Sequence, residues 1–236
     1  LISIQCSSEM EETDTLVTDE TVTTEVVSDT NSTDNNDNNN SNSSSSDNET
    51  SSFDHKEMLT NWVDNIIIPS ITIFDNSLET FKESATTFVN APTTETLSNL
   101  KEAWLSSFLK WQHVEMFDIG LSEEIFYKNR INLYPTNVEK IENNISNQNY
   151  DLDEPVNFSA QGLNGIDYLL FGIGENENEI ISKFSDENLN YGKYLTDLVD
   201  KMVSLTSEIK LSWSDEYKSS FVSSTDNTAS SSINKV

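Results

Sequence analysis

From Phe53 onward, apolar residues recur mostly at steps of three and four, the period of a helix with one buried face. Met58, Leu59, Trp62, Val63, Ile66 and Ile67 open the pattern, and Ile73, Phe74, Leu78, Phe81 and Phe88 resume it. Asp54 and Glu57 have N-cap and N3 spacing, and Phe53 is placed to staple onto Met58. Pro69 lies within the run, which predicts one kinked helix or two collinear ones to about Val89, before the break Asn90-Ala91-Pro92. A second helix is predicted from about Thr94 to Ile119 on Leu97, Leu100, Trp104, Phe108 and Trp111. A Thr136–Glu139 capping box after Pro135 opens a short helix, and residues 146–158 read as a loop. QGLNGIDYLLFG (161–172) reads as another short helix, with Ser159 as N-cap and Gly172 just past its end. The last long helix is expected from about Asp186 to Trp213, on Leu195, Leu198, Val199, Met202, Leu205 and Ile209. No stretch reads as a strand of any length. The predicted fold class is all-α, a bundle of about four long helical segments.

Two carboxylates interrupt these patterns. One step of four beyond Trp111 reaches Glu115, where the period calls for a core residue. Either Glu115 is buried with a partner, a metal or a raised pKa, or the helix frays after Trp111 and Glu115 faces water. In the 161–172 stretch, Leu163, Ile166 and Leu170 form the apolar stripe, and Asn164 and Asp167 lie at its margin. Should the two helices pack together, Glu115, Asn164 and Asp167 make a partial shell for a hard cation. They equally suit two acids sharing a proton, or acids hydrogen-bonded to Tyr168, Tyr134 or Arg130. His113 is two residues from Glu115, so the pair does not share a helix face, and a solvent-facing His113 is expected. His55 sits in a first turn whose acids are explained by capping.

Charge narrows the function classes. The chain has 41 acidic and 13 basic residues, for a net charge of −28. Nucleic acid is excluded as a partner, as is adsorption to an anionic membrane face, because both need clustered Lys and Arg. Oxygen ligands for a hard cation abound, whereas one Cys and two His leave little for a soft or imidazole-rich site. No run of 18 apolar residues occurs, so no spanning helix is expected. Phosphate-binding loops, dinucleotide fingerprints, H-E-x-x-H and G-x-S-x-G are all absent.

The N-terminal region reads differently from the rest. LISIQCSSEMEE looks like the end of a bacterial secretory signal running into a lipoprotein cysteine, which would make Cys6 the lipidated first residue of the mature chain. The acidic residues from Glu9 to Glu12 resemble the export signal of surface lipoproteins in Bacteroidetes-type bacteria. The alternative is a free Cys6 thiol in a tail. Residues 7–52 hold 12 acids with no Lys or Arg, and residues 31–52 carry no apolar side chain. Such a segment is expected to be a disordered tether. The expected division is therefore residues 1–6 as signal and lipobox, 7–52 as tether, 53–222 as helical domain and 223–236 as a low-complexity end, with the true N-terminus upstream of Leu1.

Three stretches carry a family resemblance. AWLSSFLKWQHVEMFDIG (103–120) resembles the imelysin-like family in its early Trp, its acid near a helix end, and the aromatic and Gly that follow. QGLNGIDYLLFG resembles the family's G-x-H-x-x-E signature followed by an apolar run. NLYP (132–135) is similar to the family's Bacteroidetes branch. The resemblance implies a secreted or lipid-anchored protein of the bacterial cell envelope, linked to iron uptake, with two helical bundles and a site near their interface. The founding members were described as metallopeptidases. Glu115 matches the helix-end acid and Gly162 the motif glycine, while Asn164 stands at the motif histidine and Asp167 at the motif glutamate. Asn cannot supply an imidazole for zinc or for general-base work, so catalysis is not expected. The resemblance implies a binding component of iron acquisition that uses iron or another hard cation and works with envelope iron-uptake components. The membrane would be reached only through a lipid anchor. A metal-dependent peptidase and a surface interaction module without a metal are the alternatives. Family members continue through a second bundle, so a fragment or a half-length protein is expected here.

Overall fold

The computed structural model describes residues 53–186 and 190–235. The expectations for Cys6 and for the 7–52 tether fall outside the described residues. Every regular element among the described residues is helical, with no strand. Helix α1 (His55–Trp62) runs through a π turn (Val63–Ile67) into α2 (Ile68–Asn90). Then come α3 (Thr94–Trp111), α4 (Leu121–Glu124), α5 (Tyr127–Ile131), α6 (Val138–Asn147) and α7 (Gly162–Asp167). Last are α8 (Glu177–Ser185), α9 (Tyr191–Ser212) and α10 (Asp215–Ser223).

Asp54 caps α1 as its spacing predicts, accepting the Glu57 backbone N–H at 3.0 Å. Phe53 is exposed, its ring set edge-on to His55. Pro69 neither breaks the first helix nor ends it. Within an α-helix its ring would meet the carbonyl four residues back and its missing N–H would leave that carbonyl unbonded. The π turn widens the backbone just ahead of it, with the Ile68 N–H reaching back five residues to the Val63 carbonyl.

Helix α2 packs between α3 and α9 and is the centre of the bundle. Its stripe of Ile71, Phe74, Leu78, Phe81, Ala85 and Phe88 is almost fully buried, and Ile73 instead faces out. Each buried Phe contributes roughly 1.5–3 kcal/mol relative to exposure. On α3 the buried positions are Leu97, Leu100, Ser107 and Trp111, with Trp104 and Phe108 half-buried at the side. Ser107 was hidden from a hydrophobic pattern by its hydroxyl. Its small side chain lets α3 lie close to α2, and its Oγ donates to the Ser77 carbonyl at 3.2 Å. Asp75 is a second polar group in this core, accepting from Ser207 at 3.1 Å and Lys210 at 2.9 Å and so tying α2 to α9.

Several boundaries differ from expectation. Helix α3 stops at Trp111 rather than Ile119. Its last turn tightens, with His113 N–H bonded to the Lys110 carbonyl and Val114 N–H to that of Trp111. The change of pitch sends Val114 into the core and leaves Glu115 half-buried. Asn137, not Thr136, caps the next helix, accepting the Lys140 N–H at 2.9 Å. The last long helix, expected from about Asp186 to Trp213, is α9, which starts at Tyr191, and the separate helix α8 before it was not expected. The C-terminal segment, low in complexity, nonetheless packs. Ser231 and Ser232 are buried, Ile233 lies against the core, and the Ser232 N–H donates to the Ser224 carbonyl.

The short elements between α3 and α8 hold the two signature stretches together. Trp104 in the first donates its indole N–H to the Leu163 carbonyl in the second at 3.0 Å, and its ring meets Phe171 edge to face. Trp104→Phe keeps a ring but removes the donor. It should lower unfolding free energy by about 1–2 kcal/mol in urea denaturation, with the helical circular dichroism of the folded state unchanged.

Candidate functional site

Helix α5 is the short element on which the site is assembled. It is anchored by Tyr127, which is buried, shares a hydrogen bond with Thr206 of α9 at 2.7 Å and packs edge-on against Trp111. Phe126, just before it, has φ 55°, a left-handed conformation that costs a non-glycine residue about 1–2 kcal/mol. The turn delivers α5 so that its C-terminal carbonyls face the start of α7. There, Gly162 has φ +71°, and a Cβ on it would lie 2.3 Å from the Ile131 oxygen and 2.7 Å from that of Arg130. The motif glycine is thus required twice, by conformation and by close approach of backbone to backbone.

The segment entering α7 is fixed by a buried polar network. Asn144 donates to Asn157 at 3.0 Å and to the Tyr194 hydroxyl at 3.2 Å. Tyr194 in turn donates to the Ala160 carbonyl at 2.6 Å. Gln161 donates to the Leu152 carbonyl at 3.0 Å. Ser159 is not the N-cap of α7. It lies in a 3-10 turn (Pro155–Ala160), and its carbonyl accepts the Asn137 N–H. These residues were not singled out from sequence, because their partners lie far along the chain and no local period marks them.

Asn164 is half-buried one turn into α7. Its amide nitrogen donates to Asn132 Oδ1 at 2.8 Å and to the Leu133 carbonyl at 3.1 Å. Two acceptors fix which end of the amide is nitrogen, and so Asn164 Oδ1 is the end left to accept. A metal-bound histidine behaves comparably, giving one ring N–H to a carbonyl and keeping the other nitrogen for the metal.

Asp167 follows one turn later, on the exposed side of the helix, beside the fully buried Leu163, Ile166 and Leu170. It forms no hydrogen bond or ion pair with any described residue. The surrounding protein still removes enough water to push its carboxyl above the ordinary carboxylate range, and no donor or cation offsets that.

Glu115 pairs with Lys128 of α5 at 3.2 Å. Lys128 lies on α5, and Asn132, which accepts from Asn164, is the residue just past the end of that helix. No described hydrogen bond or ion pair joins Glu115 to Asn164 or Asp167. The partners considered from sequence are engaged elsewhere. Tyr168 donates to Glu142 at 2.7 Å, Arg130 pairs with Asp153, and Tyr134 is exposed. His113 faces solvent, as expected.

Among the described residues, no three His, Cys, Asp or Glu side chains cluster as a metal cage. The donors present do not fit a zinc site, which takes imidazole or thiolate. Glu115, Asn164 and Asp167 carry oxygen donors of the kind a hard cation takes, but no described contact brings the three together.

Taken together, an all-helical bundle with a glycine-led signature helix seated on a short neighbour defines the class. The chain belongs to the imelysin family, Peptidase_M75, which it matches over residues 67–236. Two crystal structures show the same fold. One is a protein of Parabacteroides distasonis, provisionally named an iron-regulated protein A precursor, with TM-score 0.61 and 16% identity over 77% of this chain and 52% of that one. The other is an imelysin-like protein from Psychrobacter arcticum, with TM-score 0.59 and 16% identity over 77% of this chain and 56% of that one. The chain thus spans little more than half the length of these structures. Comparison with curated proteins finds no match.

Two variants separate fold from site. Gly162→Ala should destabilise the protein by at least ~2 kcal/mol, seen as a lower Tm, since a side chain there meets backbone. Asp167→Asn should do the reverse at neutral pH. A carboxyl whose folded pKa is raised costs stability once ionised, so that cost is absent below the ordinary Asp value of 3.8 and grows as pH rises through the folded pKa. Asp167→Asn should therefore melt at or above wild type at pH 7, with the gap closing in acid. A clearly lower Tm at pH 7 would mean the carboxylate has a structural partner.

Proposed function

We propose that this chain is a non-catalytic, cation-binding component of iron acquisition in the bacterial cell envelope, tethered through a lipid on Cys6. The observation that carries the reading is Asn164 at the position of the family's motif histidine. Its nitrogen is tied to Asn132 and Leu133, leaving the oxygen. That donor, with Glu115 and the unpartnered Asp167, selects hard cations, ferric iron among them, over zinc. The name given to the Parabacteroides distasonis protein supports the link to iron. Peptidase chemistry on the family's pattern would need the imidazole that Asn164 lacks.

The function of the whole protein would involve envelope partners of the iron-uptake machinery. The net charge of −28 suits concentrating cations near the surface and disfavours nucleic acid.

The test is calorimetric titration of the full chain with ferric, ferrous and zinc ions, beside Glu115→Gln and Asp167→Asn. One iron per chain is expected, with zinc weaker and each variant losing at least about tenfold in affinity while keeping its helical content. Chelator-sensitive cleavage of unfolded casein by wild type would replace this reading with the peptidase one. Absence of any stoichiometric metal would leave an interaction module.

A further inference from the structure

We infer that the outer face of α3 is the contact surface for a second copy of this chain, paired antiparallel about a twofold axis at Ser106. The face is apolar where a solvated helix would carry charge. Leu105 and Leu109, one turn apart, are 49% and 57% exposed, and Ile73 of α2 is 53% exposed. The chain holds 41 acids, yet residues 103–114 contain none. Beside this crest a groove of about 300 Å3 runs between α2 and α3. Ile73, Asn76 and Thr80 line one side of it, and Ala103, Ser106 and Lys110 the other.

A second copy is the occupant because the face is complementary to itself. Glu102, Ser106 and Lys110 follow one another at steps of four, on one ridge of α3. Neither Glu102 nor Lys110 has an ion-pair partner among the described residues, and the Lys110 ammonium donates to the Ser106 hydroxyl at 2.7 Å. A twofold contact repeats every pairing, so an antiparallel copy centred on Ser106 sets each Glu102 opposite the partner's Lys110. The same operation sets Leu109 against the partner's Ala103, at the groove, where small side chains leave room for it. A bulky crest thus meets a hollow on each side of the axis. A net charge of −28 opposes association elsewhere on the surface, which confines close contact to the stretch without acids.

Analytical ultracentrifugation of the full chain tests this in about 150 mM salt, where repulsion beyond about 8 Å is screened. Wild type should form a reversible dimer with Kd on the order of 10–100 μM, as a small interface gives. Leu109→Ser should weaken it at least about tenfold with circular dichroism unchanged, since the leucine is exposed in the monomer. Glu102→Lys and Lys110→Glu should each weaken it about tenfold or more, because each sets like charges face to face. Their equimolar mixture should recover a heterodimer within about threefold of the wild-type Kd, since every facing pair is then of opposite charge. Net charge alone predicts the reverse for Glu102→Lys, which makes the chain less negative and would tighten unspecific association. Wild type that stays monomeric at about 500 μM would overturn the inference and leave the face to another partner. A dimer that both charge reversals leave unaltered would overturn it too, as would a mixture no tighter than the separate variants.

Discussion

The close approach of α7 to α5 is the constraint on which the site depends. With no Cβ at Gly162, the start of one helix lies against the Arg130 and Ile131 carbonyls that end the other. From that contact the remaining placements follow. Leu163 turns its carbonyl to Trp104, which locks α7 to α3. Asn164, one turn in, reaches the Asn132 and Leu133 acceptors just beyond α5. Asp167 is then carried round to the open side. A bulkier residue at 162 would lift α7 from α5, and the Trp104 and Asn164 bonds would be lost together. These bonds form one cooperative unit rather than three independent ones.

Much of the bundle could be read from periodicity because its long helices bury one stripe each. Leu97, Leu100 and Trp111 on α3, and Leu195, Leu198 and Met202 on α9, all lie where their spacing puts them. The pattern failed where backbone pitch changes. The tightened turn after Trp111 exchanged Val114 for Glu115 in the core, whereas the run through Pro69 forms two helical segments joined by a π turn, compatible with its pattern. It was silent where a polar residue does a core residue's work, as Ser107 and Asp75 do. Boundaries of the short helices depended on caps one residue away from those with the stronger sequence signal, Asn137 in place of Thr136. The serine-rich end reads only as low in complexity, yet Ser231 and Ser232 are buried. Composition reports what a segment can bury alone, not what a neighbouring surface offers it.

The candidate site was legible as a set of residues but not as a set of bonds. Motif spacing singled out Glu115, Gly162, Asn164 and Asp167. Nothing in that spacing pointed to Lys128, because an ion pair across different elements leaves no local trace. The same holds for Tyr194, Asn144 and Asn157, which fix the approach to α7 from positions far apart in sequence.

Within the signature stretch, fold and function can now be assigned to different residues. Gly162 is fully accounted for by packing and Leu163 by burial and its bond to Trp104. Asn164 is half accounted for, because its nitrogen has structural acceptors and its oxygen serves no described contact. Asp167 lies on the exposed side of α7 with no partner among the described residues, and partial loss of water there raises its pKa. An asparagine stands where the family motif has histidine. Its amide nitrogen is committed to the Asn132 and Leu133 acceptors, so it supplies no basic nitrogen as an imidazole would, and only its oxygen is left to accept.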